Sequence, residues 1–239
     1  MPKLYCTIFI CAKKESGKTN TIFKILKECS TKKSELNFIS STIFNDDNWI
    51  KICEYFENKG NTVNKYTTLE EANLKAVTNE LENAAKKEIE DKKKPKTEKP
   101  KKLILFEDEE DEKKFRKDKK ISPEIIFVFD DLSSELRDKE ISTLIKKHRH
   151  FKTKIILSSQ YPNDLAPESR KNIDFWILFA GHSEDKLFTI FQNCDLNISF
   201  DLFQQLYKDA TKKPYSFLFV DKNKNEFRRN FNLLYQIQS

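Results

Sequence analysis

The residues of this chain best suited to chemistry open it: Ala12-Lys13-Lys14-Glu15-Ser16-Gly17-Lys18-Thr19. An apolar run, Leu4 to Cys11, precedes them, and a helical pattern, Thr21 to Leu26, follows. Strand, loop ending in Gly-Lys-Thr, then helix is the context of a phosphate-binding loop. Backbone N–H groups of such a loop, backed by a helix N-terminus, form a cradle for anions. In that reading Lys18 reaches the β- and γ-phosphates of a nucleoside triphosphate and the Thr19 hydroxyl holds Mg²⁺. Ala12 stands where glycine is usual, on a path that avoids positive φ. Glu15 puts a carboxylate near the phosphates and has to point outward.

A second cluster lies downstream. Ile125-Ile126-Phe127-Val128-Phe129 is an apolar run suited to a strand buried on both faces, and it ends in Asp130-Asp131. Ligands of open α/β sheets gather at the carboxyl ends of strands. Asp130 is therefore expected to bind Mg²⁺ through water, and Asp131 to polarise an attacking water. A plainer reading has Asp131, with Ser133-Ser134, capping the next helix. Asp131 is one methylene shorter than the glutamate usual at this position. A third strand pattern, Lys154 to Ser159, ends in Gln160, whose amide is placed to sense the γ-phosphate and orient the water.

The elements that must position these groups alternate. Strands are expected near 36–40, 62–66, 125–130, 154–159, 175–179 and 215–220, with one more over 226–234. Helices are expected at 49–57, 69–93, 134–148, 184–193 and 200–209, the first capped by Asp46-Asp47-Asn48. This is an α/β pattern: a mostly parallel sheet with helices on both faces and antiparallel C-terminal strands. At 239 residues it forms one domain with an adequate core. Residues 86–120 alternate basic and acidic blocks and read as a flexible, solvated insertion.

Composition sets further bounds. Net charge is +6, mildly favourable to a polyanionic partner. The five cysteines are odd in number and lack a C-x-x-C pair, so reduced thiols and a reducing compartment are expected. No apolar run approaches the ~20 residues of a membrane span. No signal-peptide pattern precedes the first strand.

Taken in order, the phosphate loop, the paired acids, Arg149-His150 leading into the Gln160 strand, and Pro162 followed by Pro167 to Asp174 resemble the FtsK–HerA superfamily of DNA-pumping ATPases. More narrowly, they are similar to the genome-packaging ATPases of large DNA viruses of eukaryotes, virophages and related elements. Ile39-Ser40-Ser41-Thr42, with Asn45-Asp46 and Trp49, is similar to a segment of that group. The likeness covers about residues 4–180, apart from the charged segment. It implies a RecA-like core, a homo-oligomeric ring (a pentamer or hexamer) with ATP hydrolysis at subunit interfaces, and movement of double-stranded DNA without sequence preference. It also implies a capsid or portal-vertex partner, no membrane, and a virion or viral assembly site in the host cytoplasm. Arg149 and Arg170 match positions from which an arginine reaches a neighbouring subunit's phosphates. Three other readings stand beside it: a small phosphotransferase such as a nucleotide kinase, a nucleotide-binding assembly scaffold that does not hydrolyse, and a plasmid or chromosome mobilisation pump of the same superfamily.

Overall fold

The computed structural model describes residues 4–93 and 124–237. The charge blocks from residue 94 to 120 lie outside the described residues, and residues 86–93 are the end of a helix. In chain order the described elements are β1 (Thr7–Cys11), α1 (Lys18–Cys29), β2 (Glu35–Ser40), α2 (Asp47–Asn58), β3 (Val63–Tyr66), α3 (Leu74–Lys93) and β4 (Ile125–Asp130). There follow a 3₁₀ turn (Ser133–Arg137), α4 (Lys139–Lys147), β5 (Thr153–Ser159), a second 3₁₀ turn (Pro162–Asp164), α5 (Pro167–Lys171), β6 (Phe175–Phe179), α6 (Glu184–Cys194), α7 (Phe200–Ala210), β7 (Phe217–Asp221), β8 (Glu226–Arg229) and β9 (Leu233–Leu234).

The described strands form one sheet in the order β3-β2-β4-β5-β1-β6-β7-β8-β9. The first six in that order run parallel, and β7, β8 and β9 continue it antiparallel. Strand β5 lies between the phosphate-loop strand β1 and the acidic strand β4. The chain leaves β1 toward β2 on one side and returns to β6 on the other, so β1 borders a switch in strand order.

Both faces of the sheet are covered, and strand alternation decides which residue goes where. Ile8, Ile10, Phe38, Ile126, Val128 and Ile156 face one layer, where Ile22, Ile25 and Leu26 of α1 meet Trp49, Ile52, Cys53 and Phe56 of α2. Phe9, Cys11, Phe127, Phe129, Ile155, Leu157 and Trp176 face the other. That layer holds Ile141, Leu144 and Ile145 of α4, Leu187 and Ile190 of α6, and Phe203, Leu206 and Tyr207 of α7. All five cysteines carry free thiols, and four of them are buried. Among the described residues no helix is long and apolar enough to cross a membrane.

Several boundaries differ from the sequence expectation, each for a local reason. The expected 69–93 helix begins at Leu74, after Asn73 takes a left-handed conformation (φ 43°). The expected 134–148 helix is a 3₁₀ turn and then α4, because Asp138, rather than Asp131 or Ser133-Ser134, is the cap; its side chain accepts from the Glu140 N–H at 2.7 Å. The expected 226–234 strand is two strands, folded back at Asn230 (φ 55°). The α2 cap falls where the sequence put it, with the Asp46 carboxylate accepting from the Asn48 N–H at 2.8 Å.

The packing at β1 supports a test. Phe9 is fully buried, with its ring edge-on to Trp176 at a centroid distance of 5.1 Å. Phe9→Ala deletes that contact and leaves a cavity, so unfolding free energy should fall by about 3–5 kcal/mol in urea titration.

Candidate functional site

The parallel strands all end at one edge, and the loop from Ala12 to Gly17 runs along it from β1 into α1. Ala12 is fully buried, is not among the positive-φ residues, and donates its N–H to the Ser159 carbonyl at 3.0 Å. The loop start is therefore pinned to the end of β5, as an alanine on an ordinary backbone path allows. Ser16 donates from Oγ to the Lys13 carbonyl at 2.7 Å, bracing the loop from within. Lys13, Lys14 and Glu15 are exposed, and Lys14 and Glu15 are among the residues that line the cleft at Lys18. The Glu15 backbone is left-handed (φ 60°), a conformation that glycine adopts at lower cost. Gly17 caps α1 at φ 92°, and a Cβ there would lie 3.2 Å from the Tyr215 ring.

Asp130 is the centre of the site. Period-2 alternation along β4 turns it to the same face as Ile126 and Val128, the face that α1 and α2 cover. Three elements reach its nearly inaccessible carboxylate. Lys18 Nζ of α1 lies 3.2 Å from Oδ1, Trp49 Nε1 of α2 donates to Oδ2 at 3.0 Å, and Ser158 Oγ of β5 donates to Oδ1. The Ser158 contact follows from register, since Ser158 is the direct partner of Asp130 in the β4–β5 pair. A carboxylate removed from water needs such partners to remain charged.

Asp131 turns the chain out of the strand with left-handed φ 56°. Its side chain is one-third exposed, and Oδ1 is 3.7 Å from Lys18 Nζ. Lys18 is thus held between two carboxylates in a cleft of about 430 Å³ that Thr19, Thr42, Asp46, Asn48 and Tyr215 also line. Tyr215 was not visible as a site residue in the sequence. It precedes β7 in the loop after α7, is 73% exposed, and holds φ 60°.

The other expected residues sit elsewhere. Gln160 follows β5 at the same edge, half-buried, with its carbonyl 3.6 Å from Cys11 Sγ; it is not among the residues lining the cleft. Arg170 reaches back from α5 to the turn after β5, donating to Asn163 Oδ1, while Arg137 donates to the Asn163 carbonyl at 2.7 and 3.1 Å. Burial, and then the like charge of Arg137, lower the Arg170 pKa. Arg149 is at the opposite edge, before β5 begins, where Nη2 meets Asp174 Oδ1 at 3.0 Å. Seven residues of strand separate the two edges by roughly 20 Å, so Arg149 cannot reach its own chain's cleft.

Whether the cleft fits Mg²⁺ follows from its donors. Among the described residues no group of three or more His, Cys, Asp or Glu converges to hold a metal. Both Asp130 oxygens already have protein partners. A small divalent cation bound here needs phosphate oxygens and water for most of its shell, which is how Mg²⁺ is ordinarily held. The residues present fit that group with the nucleotide, not without it.

Behind the loop, His182 is buried, with Nε2 3.1 Å from the Cys11 carbonyl and its backbone N–H donating to Tyr207 Oη at 3.0 Å. Burial lowers its pKa, partly offset by the Cys11 contact; the charges of Lys186 and Lys13 lower it further.

No protein-family model matches the chain, and no curated protein matches it. Solved structures do. The genome-packaging NTPase B204 of Sulfolobus turreted icosahedral virus 2, in complex with AMP, aligns at TM-score 0.59 and 17% identity over 96% of this chain and 98% of that one. B204 of Sulfolobus turreted icosahedral virus, described as a DNA-packaging ATPase, aligns at TM-score 0.59 and 18% identity over 98% of each chain. The monomer form of the pCW3 conjugation coupling protein TcpA, with ATPγS, aligns at TM-score 0.56 and 14% identity over 98% of this chain and 60% of that one. The fold is therefore that of the P-loop NTPases, in the form that these viral packaging and conjugation proteins share.

Two measurements probe the site. Trp49→Phe keeps the ring but removes the donor to Asp130 Oδ2, and should lower unfolding free energy by about 1–3 kcal/mol in chemical denaturation. For His182, a folded-state pKa below the ordinary ~6.5 means that the unfolded chain takes up the proton first. Its contribution is present above pH ~6.5 and is lost as pH falls through the lower folded value. Denaturation at pH 7.5 and 5.5 should show a smaller acid-induced loss for His182→Gln than for wild type.

Proposed function

We propose that this chain is an ATPase of the FtsK–HerA type that drives double-stranded DNA into a viral capsid. The observation that carries the reading is Lys18 held against Asp130 and Asp131 at the carboxyl edge of the sheet, in a fold shared over nearly its full length with viral packaging NTPases. In this reading the triphosphate lies along residues 12–19. Lys18 exchanges its carboxylate partners for β- and γ-phosphate oxygens. That exchange frees one side of Asp130, which with Thr19 would hold Mg²⁺, and the ion would supply charge neutralisation for the transferring phosphoryl group. Asp131, on its exposed turn, accepts the proton of the attacking water, and Gln160 orients that water once the cleft closes. The Tyr215 ring at the mouth offers a flat face to the base.

The positions of the arginines support hydrolysis at subunit interfaces. Neither Arg149 nor Arg170 lines its own chain's cleft, so each serves the reaction only by entering a neighbour's. Arg170, with Arg137 beside it, is the better placed, because it reaches the edge that carries the nucleotide. A ring of copies at a capsid or portal vertex, in the assembling virion, is the setting the reading implies.

One observation favours the non-hydrolysing scaffold. Asp131 is short for its role, and its carboxylate is already drawn toward Lys18. Steady-state ATP hydrolysis with and without long double-stranded DNA separates the two. The motor reading expects DNA-stimulated turnover, loss of nucleotide binding in Lys18→Ala, and an Asp131→Ala variant that binds ATP but turns over about 10²–10⁴-fold more slowly. ATP binding with no turnover in the wild type, with or without DNA and portal protein, would establish the scaffold instead.

A further inference from the structure

The edge of the sheet opposite the nucleotide cleft carries a second built feature. Three segments meet there: the end of α4 with residues 148–150, the entry to β6 from Lys171 to Asp174, and the turn after β7 at Lys222-Asn223. They enclose a hollow of about 310 Å³. Its cationic side chains are Lys146, Arg149, Lys171 and Lys222, with His150 beside them, and Asp174 is the one carboxylate among its lining residues.

That carboxylate is turned inward and pairs with one of these cations, Arg149, leaving the lysines without it. Asp174 is 4% exposed. It accepts from the Thr7 N–H at 3.0 Å, Asn223 Nδ2 at 2.9 Å and Arg149 Nη2 at 3.0 Å, and lies 3.4 Å from His148 Nε2. Arg149 is thereby fixed by one nitrogen while 62% of its side chain remains exposed. Lys222 is steadied by the Lys171 carbonyl at 2.8 Å. Neighbouring cations that acids do neutralise are on the α3 flank, where Lys147 meets Glu82 at 2.5 Å and Lys152 meets Glu88 at 2.7 Å. Among the described residues, Lys146 has only a long, exposed contact with Glu168 at 3.9 Å, which is worth little.

We propose that this hollow and its rim bind the phosphate backbone of double-stranded DNA. The proposal rests on the packaging reading and adds where the duplex is held. Charge is the first argument: positive side chains from three segments surround a carboxylate whose oxygens already have partners. Geometry is the second. A site for one small anion gathers buried donors on a point, whereas here the buried group, His148, turns inward to Asp174 and the Ile145 carbonyl, and Lys146 and Lys171 stand exposed on separate elements, with Lys222 half-buried on a third. Such an array suits a line of phosphates and reads no bases. It leaves the nucleotide edge free, so DNA and ATP bind at opposite ends of the same strands.

The test uses the full chain and a random-sequence 30-base-pair duplex followed by fluorescence anisotropy over a salt series. Lys146→Glu with Lys171→Glu should weaken binding at least tenfold and reduce the salt slope by about two, one for each lost phosphate contact. Affinity for a fluorescent ATP analogue without DNA should match wild type. A second double reversal, Lys33→Glu with Lys51→Glu, makes the same change in net charge on exposed positions elsewhere and should keep duplex affinity within about twofold. Equal losses in both double variants would overturn the proposal by assigning binding to overall charge. Wild-type duplex affinity in Lys146→Glu/Lys171→Glu would overturn it too, while leaving the motor reading intact. Failure of wild type to bind any duplex at low salt would overturn both.

Discussion

A carboxylate almost completely withdrawn from water organises this molecule. Asp130 is buried at the end of β4, and the three groups that meet its carboxylate come from α1, α2 and β5. The lysine brings in the phosphate loop, the indole brings in the helix that covers β2, and the serine fixes the register of the strand that separates the two motifs. The alternation of β4 aims the carboxylate into that layer, and the packing of Trp49 against Phe38 holds the indole where it can donate. The site is thus a consequence of how two helices are seated on one face, as much as of two short motifs.

What the sequence could disclose divides along physical lines. The phosphate loop, the apolar run ending in acids, and the alternation of strands and helices are local patterns, and they sit where local patterns put them. The Trp49–Asp130 bond joins residues 81 apart in the chain and Ser158–Asp130 joins residues 28 apart. No spacing rule links such pairs; only sheet order and register do. Ser158 was legible in principle, because two strands pairing in parallel with their polar ends level bring it beside Asp130. Tyr215 was not, since its place at the cleft mouth depends on a left-handed turn in a loop with no motif of its own. Helix limits slipped where one polar side chain decided among nearby caps, as Asp138 did.

The two edges of the sheet are built differently. At the carboxyl edge acids draw a lysine inward, so charge is balanced within a cleft. At the amino edge an acid, Asp174, is spent on Thr7, Asn223 and Arg149, which leaves lysines facing solvent. Asp174 also ties the start of β1 to the start of β6, the strands on either side of the switch in strand order. A disturbance of that carboxylate therefore bears on the strand that leads into the phosphate loop.

The outer strands carry a consequence of their own. Among the described residues the sheet ends at one border in β3, four residues long, and at the other in β9, only two. Stubs of this length give an incoming strand almost no ladder to extend. Among the described residues, the borders of the sheet therefore offer little backbone for a second copy to pair with.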